Sequence, residues 1–521
     1  MRVPIVRISS LAAALLLIAT AAHAEDITIG IGTQNTTTNT VTTGIVIRQL
    51  NLLEKYLPHT GKYEGATYHL DWQNFTSGPP VTNGMMAGKL QFGGMGDYPL
   101  VVNGATFAAN PDSKSELIEV AAYNLAGAGN GVVVNVASPY YSLADLKGKV
   151  VSVPFGSAAH GMVLKALQDA GWPPNFLQLV NQSPEVGSTN LQEQKIDGHA
   201  DFVPFAQLLP FRGFARAVFD GVQTNTPTWH GVVVRTDFAQ KYPEIVTAYI
   251  RATLDANAWL RADPQGAAEK IAAWTGIDKE VVYMFLGPGG IMTVDPTIKP
   301  ALLTAAQGDV QVLHNLGRLA EFDVAGWAND TYIRRAYAEA GLDYEAARAS
   351  TANYEISGTD SFCNRPIANP RAGGEIWVEG EKIQPYSSAA CTLGAQAKLK
   401  AGGKHVLVAY VYDAGNQVKL FADKAFYVVG PAGKDREITP YLLRDAAAAH
   451  AKEIGGTVAD MAGATAAAGA GGLAWPKPSL PRCRHSQPNA RRARPARCGR
   501  RCARWCWGRC PSRCWCWPGT C

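Results

Sequence analysis

Charge and cysteine are both scarce in the body of this chain. Only 17% of its 521 residues are Asp, Glu, Lys or Arg, while 47% are hydrophobic. Such a composition excludes a wholly disordered polymer and leaves room for two or three cored domains. Before residue 483 cysteine occurs only as Cys363 and Cys391, and eight more crowd between Cys483 and Cys521. An evenly spaced disulfide framework is therefore excluded. Acidic residues are missing from residues 477–521, which hold twelve Lys/Arg. Residues 1–476 consequently carry 36 basic against 43 acidic groups, so the formal net charge of +5 hides a mildly acidic body. A nucleic-acid surface is not expected on it. The sequence also lacks a P-loop, a metal-ligand quartet and a G-x-S-x-G elbow. Gly93-Gly94-Met95-Gly96 departs from the G-x-G-x-x-G order. No cofactor, resident metal or catalytic residue is assigned.

What is present begins with an address. Arg2 and Arg7 precede an apolar run, Leu11 to Ala22, that closes on Ala22-His23-Ala24. A positive flank, a short apolar core and an A-x-A end predict a cleaved export signal over residues 1–24. A membrane anchor needs about 20 apolar residues, more than this run holds. No later segment up to Ala474 is long and apolar enough to span a bilayer. A soluble, periplasmic protein is expected.

From Glu25 to about Leu342, short β-rich runs alternate with amphipathic stretches. Strands are predicted at Ile27–Gly32, Tyr68–Asn74, Gln91–Met95, Val150–Pro154, Phe176–Val180, Ala200–Pro204 and Gly231–Arg235. One predicted helix aligns Val163, Ala166, Leu167 and Ala170 in a stripe and stops at Gly171; another follows Pro243. This alternation predicts α/β layers around largely parallel sheets. Composition changes near Ile356, after a Ser/Thr/Asn-rich linker, and residues 356–458 read as a separate small α+β domain. Ala459–Ala474 reads as an Ala/Gly low-complexity linker.

Chemistry concentrates at strand-to-helix junctions. In Phe75-Thr76-Ser77-Gly78-Pro79-Pro80, Ser77 suits the cap, a proline suits the first turn, and Gly78 admits a ligand to the backbone. Val153-Pro154-Phe155-Gly156-Ser157-Ala158-Ala159-His160 repeats the pattern. Two helix starts facing each other would offer N–H groups and positive dipole ends to an anion; ordinary capping is the alternative for each. A third junction, Gly96-Asp97-Tyr98-Pro99, either caps a helix or contacts the polar end of a ligand. His160, in a first helical turn, is either a donor to an oxyanion or a solvent-facing ring. Trp229-His230 either walls the ligand or packs the core.

At these junctions the sequence resembles the solute-binding proteins of the nitrate/sulfonate/taurine ABC-importer family. The shared marks are Ser77-Gly78-Pro79, Gly96-Asp97-Tyr98-Pro99, Ser142-Leu143-Ala144-Asp145-Leu146-Lys147-Gly148-Lys149 and Phe155-Gly156-Ser157-Ala158-Ala159-His160. Gly198-His199-Ala200-Asp201 and Phe238-Ala239-Gln240-Lys241-Tyr242-Pro243-Glu244 extend the match, which covers residues 25 to about 345. The resemblance implies a type 2 periplasmic-binding fold of two α/β lobes joined by a two-strand hinge. Lobe one would be residues 25–135 plus 229–345, and lobe two 136–228. It implies ligand contacts at Ser77, Gly78, Asp97, Ser157, Ala158 and His160, with Gln34, Tyr98, Phe205 and Trp229 added from their nearness to strand ends. The expected ligand is a small anion such as an aliphatic sulfonate, taurine or nitrate. The expected partners are an ABC permease and its ATPase, and the receptor would be a monomer. Two features depart from the family pattern: a first loop, Asn35–Thr43, rich in Thr and Asn, and Val203-Pro204-Phe205 in lobe two. No Arg is evidently placed to clamp an anion. An enzyme on the same fold, of the pyrimidine-precursor synthase type, would have only His160 and Asp97 as candidate base or nucleophile.

Residues 356–458 resemble, more faintly, the NosL-like periplasmic copper chaperones of nitrous-oxide reductase. The likeness rests on Gln384-Pro385-Tyr386-Ser387-Ser388, Ala422-Asp423-Lys424-Ala425-Phe426-Tyr427-Val428, Thr439-Pro440-Tyr441-Leu442-Leu443 and Ala451-Lys452-Glu453-Ile454-Gly455-Gly456. That family's Cys-Gly-Met metal motif is absent, so Cys363 and Cys391 are left as a disulfide or a pair of soft ligands; on the latter, the chain would be a periplasmic metal-handling protein through residues 356–458. The Arg/Cys/Trp-rich tail reads as a frameshifted remnant of an apolar segment, since a Cys-Trp-Cys-Trp string shifted by two bases reads Leu-Val-Leu.

Overall fold

The computed structural model describes residues 25–470 apart from 316, 434 and 435. The export signal expected over 1–24 and the tail after Pro476 lie outside the described residues. Among the described residues no helix is long and apolar enough to cross a membrane.

Ten strands build the large part: β1 Asp26–Thr33, β2 Thr67–Asn74, β3 Phe92–Gly96, β4 Ser115–Asn124, β5 Gly131–Asn135, β6 Val150–Val153, β7 Gln178–Asn181, β8 Gly198–Asp201, β9 Ala215–Asp220 and β10 Thr228–Arg235. They form two five-stranded sheets, β2-β1-β3-β10-β4 and β7-β6-β8-β5-β9. In each sheet the first three strands run parallel and the fourth antiparallel to both its neighbours. The same order thus occurs twice, and the fourth strand of each sheet is the one that arrives from the other lobe. The chain crosses between lobes at 125–130 and returns at 221–227, which is the two-lobe, two-crossing type 2 periplasmic-binding fold. The first crossing comes earlier than expected: β5, assigned from the sequence to lobe one, pairs in the sheet of lobe two. The strand expected at Ala200–Pro204 is shifted to Gly198–Asp201.

Local chemistry accounts for the elements beside the crossings. In the Ala158–Asp169 helix Val163, Ala166 and Leu167 are buried, and Gly171 takes the positive φ that ends the turn. The Ser142-to-Asp145 stretch is a capping box opening a short 3-10 turn, Leu143–Leu146. Helices from Pro243 onward wrap lobe one, and Lys299 fixes them by donating to the carbonyls of Ala347, Arg348 and Ser350.

The small domain holds β11 Thr359–Asp360, β12 Arg365–Pro366, β13 Gly374–Val378, β14 Gln384–Tyr386, β15 Val406–Tyr412, β16 Lys419–Phe421, β17 Phe426–Val429, β18 Ile438–Tyr441 and β19 Thr457–Ala459. Its sheets order as β14-β13-β15-β16 and β18-β17-β19, with helices Ala389–Ala401 and Arg444–Ile454 placed equivalently. It is therefore an internal repeat of strand, strand, helix, strand. Cys363 and Cys391 form a disulfide, Cα to Cα 6.0 Å, which ties the entering loop to the start of the first helix. Met461–Ala470, expected within a linker, is a helix that buries Ala464 and Ala468. Alanine's high helix propensity and small side chain explain why a low-complexity run packs there.

This domain touches both lobes, by different means. Toward lobe one, Lys419 Nζ, paired with Glu375 inside the small domain, donates to Pro288 O, Tyr283 Oη donates to Glu375, and Tyr410 Oη donates to Glu280 O. Toward lobe two the contacts are rings: Phe211 against Phe421 at 5.0 Å and Tyr141 against Phe426 at 6.5 Å.

Candidate functional site

Between the lobes, the helix starts at Ser77 and Ser157 face each other. A Cβ placed on Gly156 would stand 3.2 Å from Pro79 Cγ, and one on Gly161 would stand 2.6 Å from the Tyr98 ring. On the lobe-one side, a Cβ on Gly78 would meet Pro99 Cβ at 2.4 Å, so only glycine lets the two lobe-one helices begin this close together. Ser77 occupies the N-cap position of the Gly78–Met86 helix without a side-chain cap bond, and prolines fill its first turn. Ser157 does cap its helix, accepting from the His160 N–H at 3.3 Å, so its hydroxyl hydrogen remains available to donate.

Two imidazoles frame this space. Gly156 N–H donates to His160 Nδ1 at 3.1 Å, which keeps the neutral ring's proton on Nε2. Phe155 stacks on the same ring at 4.8 Å, and Tyr98 meets it edge-on. On β10, His230 Nδ1 lies 3.1 Å from the Asn39 amide nitrogen, a donor, so this ring too presents Nε2–H. His230 Nε2 lies 3.2 Å, and Ala158 Cβ 3.3 Å, from the place where a Cβ on Gly96 would stand. Burial lowers His160 from 6.5 to about 4, assisted by the positive charge of Arg318, and burial alone lowers His230 to about 3. Both rings are therefore neutral donors at pH 7.

Because the folded-state values lie below the unfolded value, their contribution to stability is complete above pH 6.5 and is lost as pH falls toward 4. Acidification from pH 7 to 5 should cost on the order of 2 kcal/mol per ring. Thermal melts across that range check it, and a His160→Gln/His230→Gln variant should show a flatter pH dependence.

Asp97 holds the floor. Its Oδ2 accepts from Thr228 Oγ1 at 2.7 Å and from the Trp229 N–H at 3.2 Å; its Oδ1 accepts from the Tyr98 N–H at 2.7 Å. Burial pushes its carboxyl up, against the lowering effect of Thr228 and the backbone donors. Asn130, at the first crossing, donates to Thr228 at 3.0 Å, so a polar chain runs from Asp97 to the hinge.

The sequence-predicted residues divide into two groups. Ser77, Gly78, Asp97, Tyr98, Ser157, Ala158 and His160 converge at the facing helix starts. Gln34, buried beside them, donates its amide to Gly94 O at 3.2 Å. Trp229 instead lies fully buried in the same lobe-one cluster as Met95 and Val233, because strand alternation sends it to the face opposite His230. Phe205 packs edge-on against Phe202 within lobe two. The Thr-rich loop forms a buried 3-10 turn, Thr38–Thr43, whose Thr40 and Thr43 hydroxyls bond its own backbone. Asn39 and Arg318 were not singled out from the sequence, and His230 entered only beside Trp229, as a ligand wall or core packing. Arg318 supplies the positive charge that sequence reading had not located.

Residues 112–267 match the family model described as "NMT1/THI5 like". The chain is similar to the taurine-binding periplasmic protein of Escherichia coli (strain K12), 32% identical over 205 residues. That alignment covers 39% of this chain and spans 60% of the relative's own length. Among solved structures, the alkanesulfonate-binding protein SsuA from Xanthomonas axonopodis pv. citri, bound to MOPS, aligns with a TM-score of 0.49 and 20% identity. It covers 59% of this chain and 100% of that one. The periplasmic nitrate-binding protein NrtA from Synechocystis PCC 6803 aligns with a TM-score of 0.46 and 14% identity, covering 65% and 94% respectively.

Proposed function

We propose that the chain is the periplasmic solute receptor of an ABC importer and binds a small anion, such as taurine, another aliphatic sulfonate or nitrate, between its lobes. The observation that carries this reading is the pair of opposed helix starts at Ser77 and Ser157, with two Nε2–H imidazole donors beside them. Backbone N–H groups and positive helix ends favour an anion, and neutral donors do so without a buried ion pair. Arg318 adds a positive charge beside Tyr98 and His160. The likeness to a taurine-binding protein supports the same ligand class. Lobe closure about the two crossings would then present the loaded receptor to a permease and its ATPase.

Isothermal titration against taurine, alkanesulfonates and nitrate tests the reading; silence toward every one of them would count against it. Ser157→Ala removes a hydroxyl donor and should weaken the bound anion by about 1 kcal/mol. The same change removes a helix cap, so thermal melts must be run alongside, with a loss of roughly 1 kcal/mol expected there.

A further inference from the structure

The small domain does not seat equally on its two neighbours. Its lobe-one face is closed by hydrogen bonds through Lys419, Tyr410 and Arg371. Its lobe-two face leaves a pocket of about 260 Å³, with Pro210, Ala217 and Phe219 on one wall and Leu420, Phe421 and Phe426 on the other. Gln207, Arg216, Asp220, Asp423 and Lys424 also line it, so apolar walls meet polar edges, and the apolar part favours an apolar body over water.

One edge of the pocket is polar and unfinished. Arg216 lines it and donates to the carbonyls of Val136, Ser138 and Tyr140, but its buried Nε has no acceptor. Its guanidinium lies 4.0 Å from the Tyr141 ring centre, and that of Arg444, from the small domain, lies 4.4 Å from the same centre. Neither arginine pairs with a carboxylate among the described residues. Two cations therefore share one ring with no salt-bridge partner, and one of them, Arg216, lines the hollow. Asp220, in the wall, already accepts from the Gly129 and Val222 N–H groups.

We infer that this inter-domain pocket is a second ligand site, for a compact apolar anion: an aromatic or branched-alkyl group carrying one sulfonate or carboxylate. The apolar body fills the space between Pro210 and Phe421, and the acid group faces Arg216 with Arg444 at its outer side. The site is separate from the cleft, and the inference stands whichever solute the cleft takes.

The test uses the full chain and 4-bromobenzenesulfonate. In soaked crystals the anomalous bromine signal should lie between Pro210 and Phe421, with the sulfonate toward Arg216. Ala217→Phe, which fills the pocket from a half-exposed strand position, should lower calorimetric affinity for the probe at least tenfold. Arg444→Gln, at an exposed position, should lower it several-fold. Both variants should melt like the parent and keep its response to taurine. Bromine found only in the cleft, no bromine at all, or unchanged affinity in a normally melting Ala217→Phe protein would overturn the proposal. Bromine in the pocket together with no heat from taurine, other sulfonates or nitrate would sink the cleft reading and uphold this one.

Discussion

Replacing Gly161 with alanine should weaken solute binding roughly ten- to a hundredfold while leaving the unliganded protein as stable as before, or more so. The two effects separate because they act on different states. Within the Ala158–Asp169 helix, glycine costs about 1 kcal/mol relative to alanine, so the substitution favours the helix itself. Across the cleft, the added methyl would stand 2.6 Å from Tyr98 Cδ2 and 3.0 Å from its Cγ. Those are ring atoms of a buried side chain, not the free end of a flexible one, so the lobes must stay apart. Overpacking of this size costs about 1–3 kcal/mol, all of it charged to the closed form. Titration calorimetry gives the affinity, melting gives the stability, and small-angle scattering should show a more open particle. A variant that binds like the parent would mean that the facing of Gly161 and Tyr98 is not part of closure.

Cutting the link between Lys419 and Glu375 should produce the largest stability loss. Lys419 is fully buried and Glu375 nearly so, and Tyr283 completes the set by donating to Glu375. Burial holds the Lys419 amine below its ordinary range, and Glu375 offsets only part of that. Lys419→Ala or Glu375→Ala leaves a charge without its partner in a dry interface, which should cost about 3–5 kcal/mol. The double change Lys419→Met/Glu375→Leu removes both charges and should recover most of that loss. Denaturant melts of the three variants decide it; a double variant no better than either single would show that geometry rather than charge holds the domains together.

The parts legible in the sequence were those written locally. Ser, Gly and Pro at the two helix starts, and the stripe through Val163, Ala166 and Leu167, each describe one turn of chain, and the fold uses them as such. Strands β4, β5 and β9 were not read. In β4 the buried Glu119 interrupts an apolar run, and its partner, Thr253, lies 134 residues away. Asn39 meets His230 across 191 residues, a pairing that no window along the chain contains. Arg318, whose positive charge acts on Tyr98 and His160, lies on a loop far downstream and is missed for the same reason. The repeat in the small domain is written in the sequence: Pro385-Tyr386 and Pro440-Tyr441 each precede a helix, and Gly402-Gly403 and Gly455-Gly456 each end one.

The unequal seating of the small domain makes it a built-in gauge of lobe angle. It travels with lobe one through hydrogen bonds, yet meets lobe two chiefly where the Phe211 and Phe421 rings touch. Rotation about the crossings at 125–130 and 221–227 must slide one ring along the other. Dye labels placed beside those rings would convert solute capture into an optical signal without touching the cleft.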